Sequence, residues 1–155
     1  MTPAINTAKN AKIHYVVHEY SHTPSNVSYG LEAANKLGIP EARVFKTLVI
    51  TTGDNEFVVG IVPVSSMLNM KLIAKAVGSK KASMSLASDV ERTTGYILGG
   101  VSPLGQKKKL KTVIDSSARE YPTIFVSAGR RGLEIELDPN DLLSLTNAKF
   151  VDICK

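Results

Sequence analysis

Two hydrophobic periods alternate along this chain. Between Tyr29 and Leu37 the apolar residues Leu31, Ala33, Ala34 and Leu37 share one face and Gly38 follows as a stop, which predicts a short helix. Residues 69–77 repeat the arrangement with Leu72, Ile73, Ala76 and Val77, ended by Gly78. Further helices are predicted over 4–12, entered through Thr2 and Pro3, from a start at Ser88-Asp89-Val90-Glu91, and over 139–145. The other period is that of strands. Residues 44–52 and 57–64 are β-rich runs joined by Gly53-Asp54-Asn55, a hairpin signal. Strands are also predicted over 14–20, 95–101, 112–114, 123–126, 133–137 and 149–153, with 127–132 as a turn between two of them. Residues 21–28, with Pro24 and Asn26, read as loop. Helices and strands interleave around a central hairpin, so the expected class is α/β, with a mixed sheet and flanking helices instead of a purely parallel one.

The length of 155 residues suits one domain, taken as 1–155, and 43% hydrophobic against 21% charged residues favours a packed core over disorder. No apolar run approaches the ~20 residues of a membrane helix, and residues 1–12 lack the long apolar core of a signal peptide. The single cysteine, Cys154, allows no internal disulfide, so a cytoplasmic location without membrane contact is expected. The net charge of +5 favours a polyanionic partner. Clustering strengthens that reading: Lys107, Lys108, Lys109 and Lys111 lie together with Arg130 and Arg131 further on, and Lys71, Lys75, Lys80 and Lys81 form a second group.

Familiar catalytic patterns are absent. His14, His18 and His22 have no cysteine or close acidic cluster to complete a metal set. There is no Gly-x-Ser-x-Gly elbow and no Walker-type loop, and Cys154 sits at the terminus with no histidine near it in sequence. What remains is three local oddities. Lys46 interrupts the apolar strand around Phe45 and Leu48, where it either snorkels along an exposed face or sits in a pocket to bind an anion or polarise an oxygen. Gly99-Gly100 lies in an apolar run, which marks either tight packing or a close backbone approach that aims N–H groups at a substrate oxygen. Ser127-Ala128-Gly129, followed by two arginines, permits an anion-holding turn or a simple bend.

Taken together these segments resemble the YbaK/EbsC family of aminoacyl-tRNA deacylases. The resemblance rests on Met1-Thr2-Pro3-Ala4, on Val44-Phe45-Lys46-Thr47-Leu48, on the stretch from Thr94-Gly95-Tyr96 through Gly99-Gly100 to Lys107-Lys108, and on the stretch from Val126-Ser127-Ala128-Gly129 through Glu134 to Leu137. It looks closest to the branch that clears Cys-tRNA(Pro). The resemblance implies a three-layer fold with a mixed, bifurcated β-sheet and flanking helices, shared with the editing insertion of bacterial prolyl-tRNA synthetases. It implies a pocket for the 3′-terminal adenosine and its aminoacyl ester. Lys46 matches the family's essential lysine, Thr47 its neighbour, Tyr20 and Tyr29 pocket aromatics, Gly99 the glycine beside the ester carbonyl and Ser127 the pocket serine. Gly100 is expected to share the oxyanion role, and Gly129 and Glu134 to adjoin the substrate. Ala128 and Glu134 stand where this branch often has glycine and aspartate.

The implied mechanism needs no cofactor, no metal and no enzyme nucleophile. Cysteine esterified to tRNA carries its own thiol, which attacks its own carbonyl, so the protein supplies orientation and oxyanion donors. The implied partners are tRNA(Pro), held through phosphates by surface lysines, and prolyl-tRNA synthetase; DNA and membranes are not expected. Two further readings are another small amino acid, such as Ala-tRNA(Pro), and a tRNA-binding module without activity.

Overall fold

The computed structural model of the chain describes residues 1–24 and 28–155. In chain order the elements are α1 (Pro3–Asn10), β1 (Tyr15–Glu19), α2 (Tyr29–Leu37), β2 (Phe45–Thr52), β3 (Phe57–Pro63), α3 (Met70–Ala76), β4 (Ala82–Met84) and α4 (Ala87–Thr94). They continue with β5 (Lys111–Asp115), β6 (Ile124–Arg130), β7 (Leu133–Leu137), α5 (Pro139–Thr146) and β8 (Lys149–Val151). The helix ends follow local chemistry. Thr2 caps α1 by accepting the Ile5 N–H at 3.2 Å, and Asn69 caps α3 by accepting those of Lys71 and Leu72. Gly38 ends α2 in the left-handed region at φ 68°.

The hairpin of β2 and β3 forms as expected and is the centre of the molecule. Five strands run in the order β4-β2-β3-β5-β8, with β2 antiparallel to β3 and β4, and β3, β5 and β8 mutually parallel. A second, antiparallel sheet runs β1-β7-β6. The two are joined by a parallel bridge between Val44, just before β2, and Phe125 of β6. One edge of β2 is therefore shared: β6 takes its start and β4 takes Ile50–Thr52, and between them, at Thr47, no strand pairs with it. This is the expected mixed, bifurcated sheet.

Alternation along β2 divides the core. Phe45 and Val49 face the main cluster, where Ala4 and Ala8 of α1, Val90 of α4 and Leu142 of α5 pack against Val126 and Ile135. Ile50 faces the other side with Ile73 of α3, Val113 and Ile153. Ala33 and Ala34 of α2 cover Val44 and Phe125 at the fork. Helices thus lie on both faces of the forked sheet, giving three layers.

Several expectations need correction. The strand expected over 95–101 is an irregular loop, because Gly95 and Gly99 adopt left-handed backbone at φ 80° and 89° and the Gly100 N–H turns back to Ile97 O at 2.9 Å. The turn expected over 127–132 is shorter, since β6 runs on to Arg130 through a bulge that follows Ser127 and only Arg131 and Gly132 connect it to β7. Ser88 lies inside α4 and does not cap it. The last strand ends at Val151, and the chain beyond it returns to bridge Leu68 with Cys154. In the expected loop 21–28, Asn26 lies outside the described residues.

One buried carboxylate ties that loop to α2. The Glu32 side chain is fully shielded and meets His22 Nδ1 at 2.6 Å, the Thr23 N–H at 2.8 Å and Lys36 Nζ at 3.1 Å. Burial by itself would raise its pKa, but the hydrogen bonds from Thr23, His22 and Lys36 outweigh burial and hold it down at about 2 against an ordinary 4.5. A depressed carboxyl contributes stability above its unfolded pKa and loses it as pH falls through the folded one. Glu32→Gln should therefore cost on the order of 1–3 kcal/mol at pH 7, with the deficit shrinking as pH falls from about 4.5 towards 2. Thermal unfolding across that range checks this, and a deficit that stays constant would refute it.

Candidate active site

A cleft of about 290 Å³ opens at the fork of the sheet. Lys46, Thr47 and Leu48 of β2 form one wall, Tyr29, Gly30 and Leu31 at the start of α2 another. Tyr20, Ser127 of β6 and Glu134 of β7 close it from the smaller sheet, and Leu98 and Gly99 lean in from the loop after α4. Val64, which follows β3, also lines it. The cleft thus lies beyond the carboxyl end of a parallel strand, where open α/β sheets hold ligands. The first turn of α2 comes close because residue 30 is glycine: a Cβ there would lie 2.3 Å from Val64 Cγ1.

The expected residues Lys46, Thr47, Tyr20, Tyr29, Gly99, Ser127 and Glu134 meet in this one space. Gly100 and Gly129 do not line it. The Gly100 N–H is already used on Ile97 O, which leaves Gly99 as the N–H donor at the cleft, and a Cβ on Gly100 would press on the Arg130 backbone at 2.9 Å. Gly129 faces away, towards Tyr96 and Thr2, and its N–H donates to Ser127 Oγ at 3.2 Å. Gly30, Leu31, Val64 and Leu98 were not foreseen. Their only sequence signal is a glycine in the first turn of a helix and small apolar residues beside expected ones.

The polar groups here are short of partners. Lys46 makes no ion pair with any described residue. Thr47 Oγ is buried without a hydrogen-bond partner. Glu134 stands opposite Ser127 on one side and His18 on the other in the strand register, and burial raises its carboxyl to about 8. It is therefore largely a neutral acid near pH 7, able to donate as well as accept. Tyr20 is pushed up to about 12, first by burial and then by the Glu134 charge.

Neither histidine near the fork is placed to activate a nucleophile in the lining. His18 is engaged with Glu136 at 2.9 Å and His22 with Glu32, and neither lines the cleft. Cys154 folds back near Lys46 instead of fraying, but burial and then Asp115 raise its thiol to about 12, against a smaller opposing effect of Lys46. It is a neutral thiol at physiological pH and a poor nucleophile.

A wall of strand edge, a lysine without an ion pair and a glycine backbone beside small residues thus meet in one cleft. The chain belongs to the aminoacyl-tRNA editing domain family, whose model matches residues 25–145. It is 41% identical over 152 residues to EbsC of Enterococcus faecalis, a proposed Cys-tRNA(Pro)/Cys-tRNA(Cys) deacylase, covering 98% of this chain and 92% of that one. It is 29% identical over 107 residues to the proline–tRNA ligase of Trichlorobacter lovleyi, covering 69% of this chain and 18% of the ligase. The fold matches the crystal structure of a proposed trans-editing enzyme for prolyl tRNA synthetase with a TM-score of 0.84 at 22% identity, over 100% of this chain and 99% of that one.

The raised Glu134 carboxyl has a measurable consequence. Its contribution to stability is complete below the unfolded pKa of about 4.5 and is lost as pH rises through about 8. Glu134→Gln is neutral throughout, so its unfolding midpoint should fall less than the wild type's between pH 5 and 8.5. Equal midpoint shifts of wild type and variant in urea titrations at the two pH values would mean that the carboxyl is already ionised in the fold.

Proposed function

We propose that this chain is an aminoacyl-tRNA deacylase that removes cysteine from misacylated Cys-tRNA(Pro), and from Cys-tRNA(Cys), using the substrate's own thiol. The observation that carries this reading is the content of the cleft: a lysine with no ion pair among the described residues, the Gly99 backbone and the buried Thr47 hydroxyl, with no histidine or cysteine among the lining residues. Such a site can orient an ester and stabilise its oxyanion, but it cannot attack.

The reaction then runs within the substrate. The cysteine sulfur bonds to its own carbonyl carbon and gives up its proton. The tetrahedral intermediate collapses, the bond to the ribose 3′-oxygen breaks, and that oxygen takes up a proton. The products are a cyclic thiolactone and free tRNA. In this scheme Lys46 anchors the terminal ribose or its phosphate, and the Gly99 N–H faces the developing oxyanion. Ser127 and the neutral Glu134 contact the aminoacyl group, while Tyr20, Tyr29 and Thr47 shape the space around it.

The partner is the acceptor end of tRNA(Pro), held through phosphates by surface lysines and largely without reading sequence. Cysteine and proline are close in size, so a synthetic pocket separates them poorly and a separate hydrolytic step is needed. A chain this small has little surface with which to choose one tRNA, so docking beside prolyl-tRNA synthetase in the cytoplasm would supply that choice.

Lys46→Ala should lower deacylation of Cys-tRNA(Pro) at least ~100-fold, the scale of losing a key electrostatic contact, with the thermal midpoint preserved. Cys154→Ser should keep full activity. A folded, fully active Lys46→Ala would overturn the anchoring role, and an inactive Cys154→Ser would point to covalent catalysis by the protein. A panel of Cys-, Ala-, Ser- and Pro-tRNA tests the substrate. Preference for alanine would replace cysteine in this reading, and tight binding without ester loss would replace catalysis by a binding role.

A further inference from the structure

Arg131, in the short connection between β6 and β7, is not among the lining residues, yet its side chain joins three of the cleft's walls. Its guanidinium lies 4.1 Å above the centre of the Tyr29 ring at the start of α2. Its Nη2 donates to Leu98 O at 3.0 Å. Its Nε is buried without a hydrogen-bond partner. Gly99 is packed directly beneath: a Cβ at that position would lie 2.6 Å from Arg131 Nε and 2.6 Å from Tyr29 Cε2.

The contact with Leu98 O has a specific geometric effect. A peptide unit is planar and trans, so the C=O of Leu98 and the N–H of Gly99 belong to one rigid plane and point in opposite directions. The following Gly100 N–H is held by Ile97 O at 2.9 Å. Glycine at 99 leaves its own φ and ψ soft, so the Leu98 carbonyl is the handle that fixes this plane. Holding it from one side aims the Gly99 N–H to the other. Leaving a guanidinium N–H buried and unpaired is unfavourable; the flat placement over Tyr29 and against Leu98 imposes it.

We propose that Arg131 is a positioning residue for the deacylation: by stacking on Tyr29 and holding Leu98 O, it locks the Leu98–Gly99 peptide plane so that the Gly99 N–H meets the ester oxyanion. This rests on the deacylase reading above. Arginine suits the task because its planar fork stacks and donates at once, which lysine cannot do.

The test uses Arg131→Ala and Arg131→Lys, with two substrates and one measurement that needs no substrate. The substrates are Cys-tRNA(Pro) and 3′-cysteinyl-adenosine, which has no phosphates. Both variants should lose roughly ten- to hundred-fold in kcat on both substrates, the scale of a small misplacement, with KM within about three-fold of wild type. A loss confined to the KM for tRNA and absent with cysteinyl-adenosine would make Arg131 a phosphate contact and overturn the proposal, as would unchanged kcat on both. Independently, hydrogen exchange of the Gly100 amide should accelerate in both variants but not in Tyr29→Phe, which keeps the ring; unchanged exchange in Arg131→Lys overturns the clasp. Should the wild type cleave no aminoacyl-tRNA, the deacylase reading fails, and the exchange measurement still decides whether Arg131 holds the loop.

Discussion

The site depends on an edge of β2 that the fold leaves half covered. A strand edge is a row of N–H and C=O groups that must find partners. Here β6 takes the edge at Val44 and β4 takes it from Ile50 to Thr52, and the two diverge between. The gap at Thr47 is what makes a cleft possible, because no side-chain packing could open a space of this kind in a fully paired sheet. It also determines the chemistry of the wall. Backbone polar groups, the Lys46 ammonium and the Thr47 hydroxyl are presented together, the ammonium without an ion pair and the hydroxyl without a hydrogen bond among the described residues.

The same logic separates two carboxylates that lie two residues apart on β7. Strand alternation puts Glu134 and Glu136 on one face. Glu136 is met by His18, Thr123 and Arg43, and despite its burial these partners hold its pKa below the ordinary value. Glu134 faces the fork instead, has no ion pair among the described residues, and is raised by burial alone. Nothing intrinsic to the two residues distinguishes them. The paired carboxylate ties β7 to β1 and to the residues before β6, and the unpaired one lines the cleft.

Much of this was legible in the sequence, and what was not has physical reasons. The β2–β3 hairpin, α1, α2, α3 and α5 follow from period, caps and stop residues, because those signals act over a few residues. The run at 95–101 misled because an apolar stretch with glycines looks the same whether it is extended or bent back; the left-handed backbone decides, at Gly95 as the cap that ends α4 and at Gly99 where Tyr29 and Arg131, far away in sequence, pack against it. β4 was invisible because three residues from the Lys80–Ser85 segment carry no period, and only the edge of β2 makes them a strand. For the site, Lys46, Gly99 and Ser127 stood out as local irregularities, but each had an equally good structural explanation. Family resemblance united them in advance, and the fork supplies the physical cause. Arg131 could be counted as charge but not placed, since its contact with Leu98 O spans 33 positions of the chain.

The loop after α4, which brings Leu98 and Gly99 to the cleft, is anchored by specific contacts. Its base is pinned by the Tyr96 hydroxyl donating to Leu104 O at 2.6 Å and by Thr94 Oγ meeting Val90 O at 2.6 Å. Gly105 lets it lie against the start of α1, where a Cβ would strike Pro3 at 2.6 Å. Ile97 and Leu98 are exposed at its tip, and Leu98 and Gly99 line the cleft. On the substrate-assisted mechanism proposed above, the attacking sulfur and the ester travel together, and the protein's oxyanion donor is the fixed point against which both are aligned. In that mechanism α2, the β2–β3 hairpin and the loop that meet around the cleft form the frame that keeps that point still.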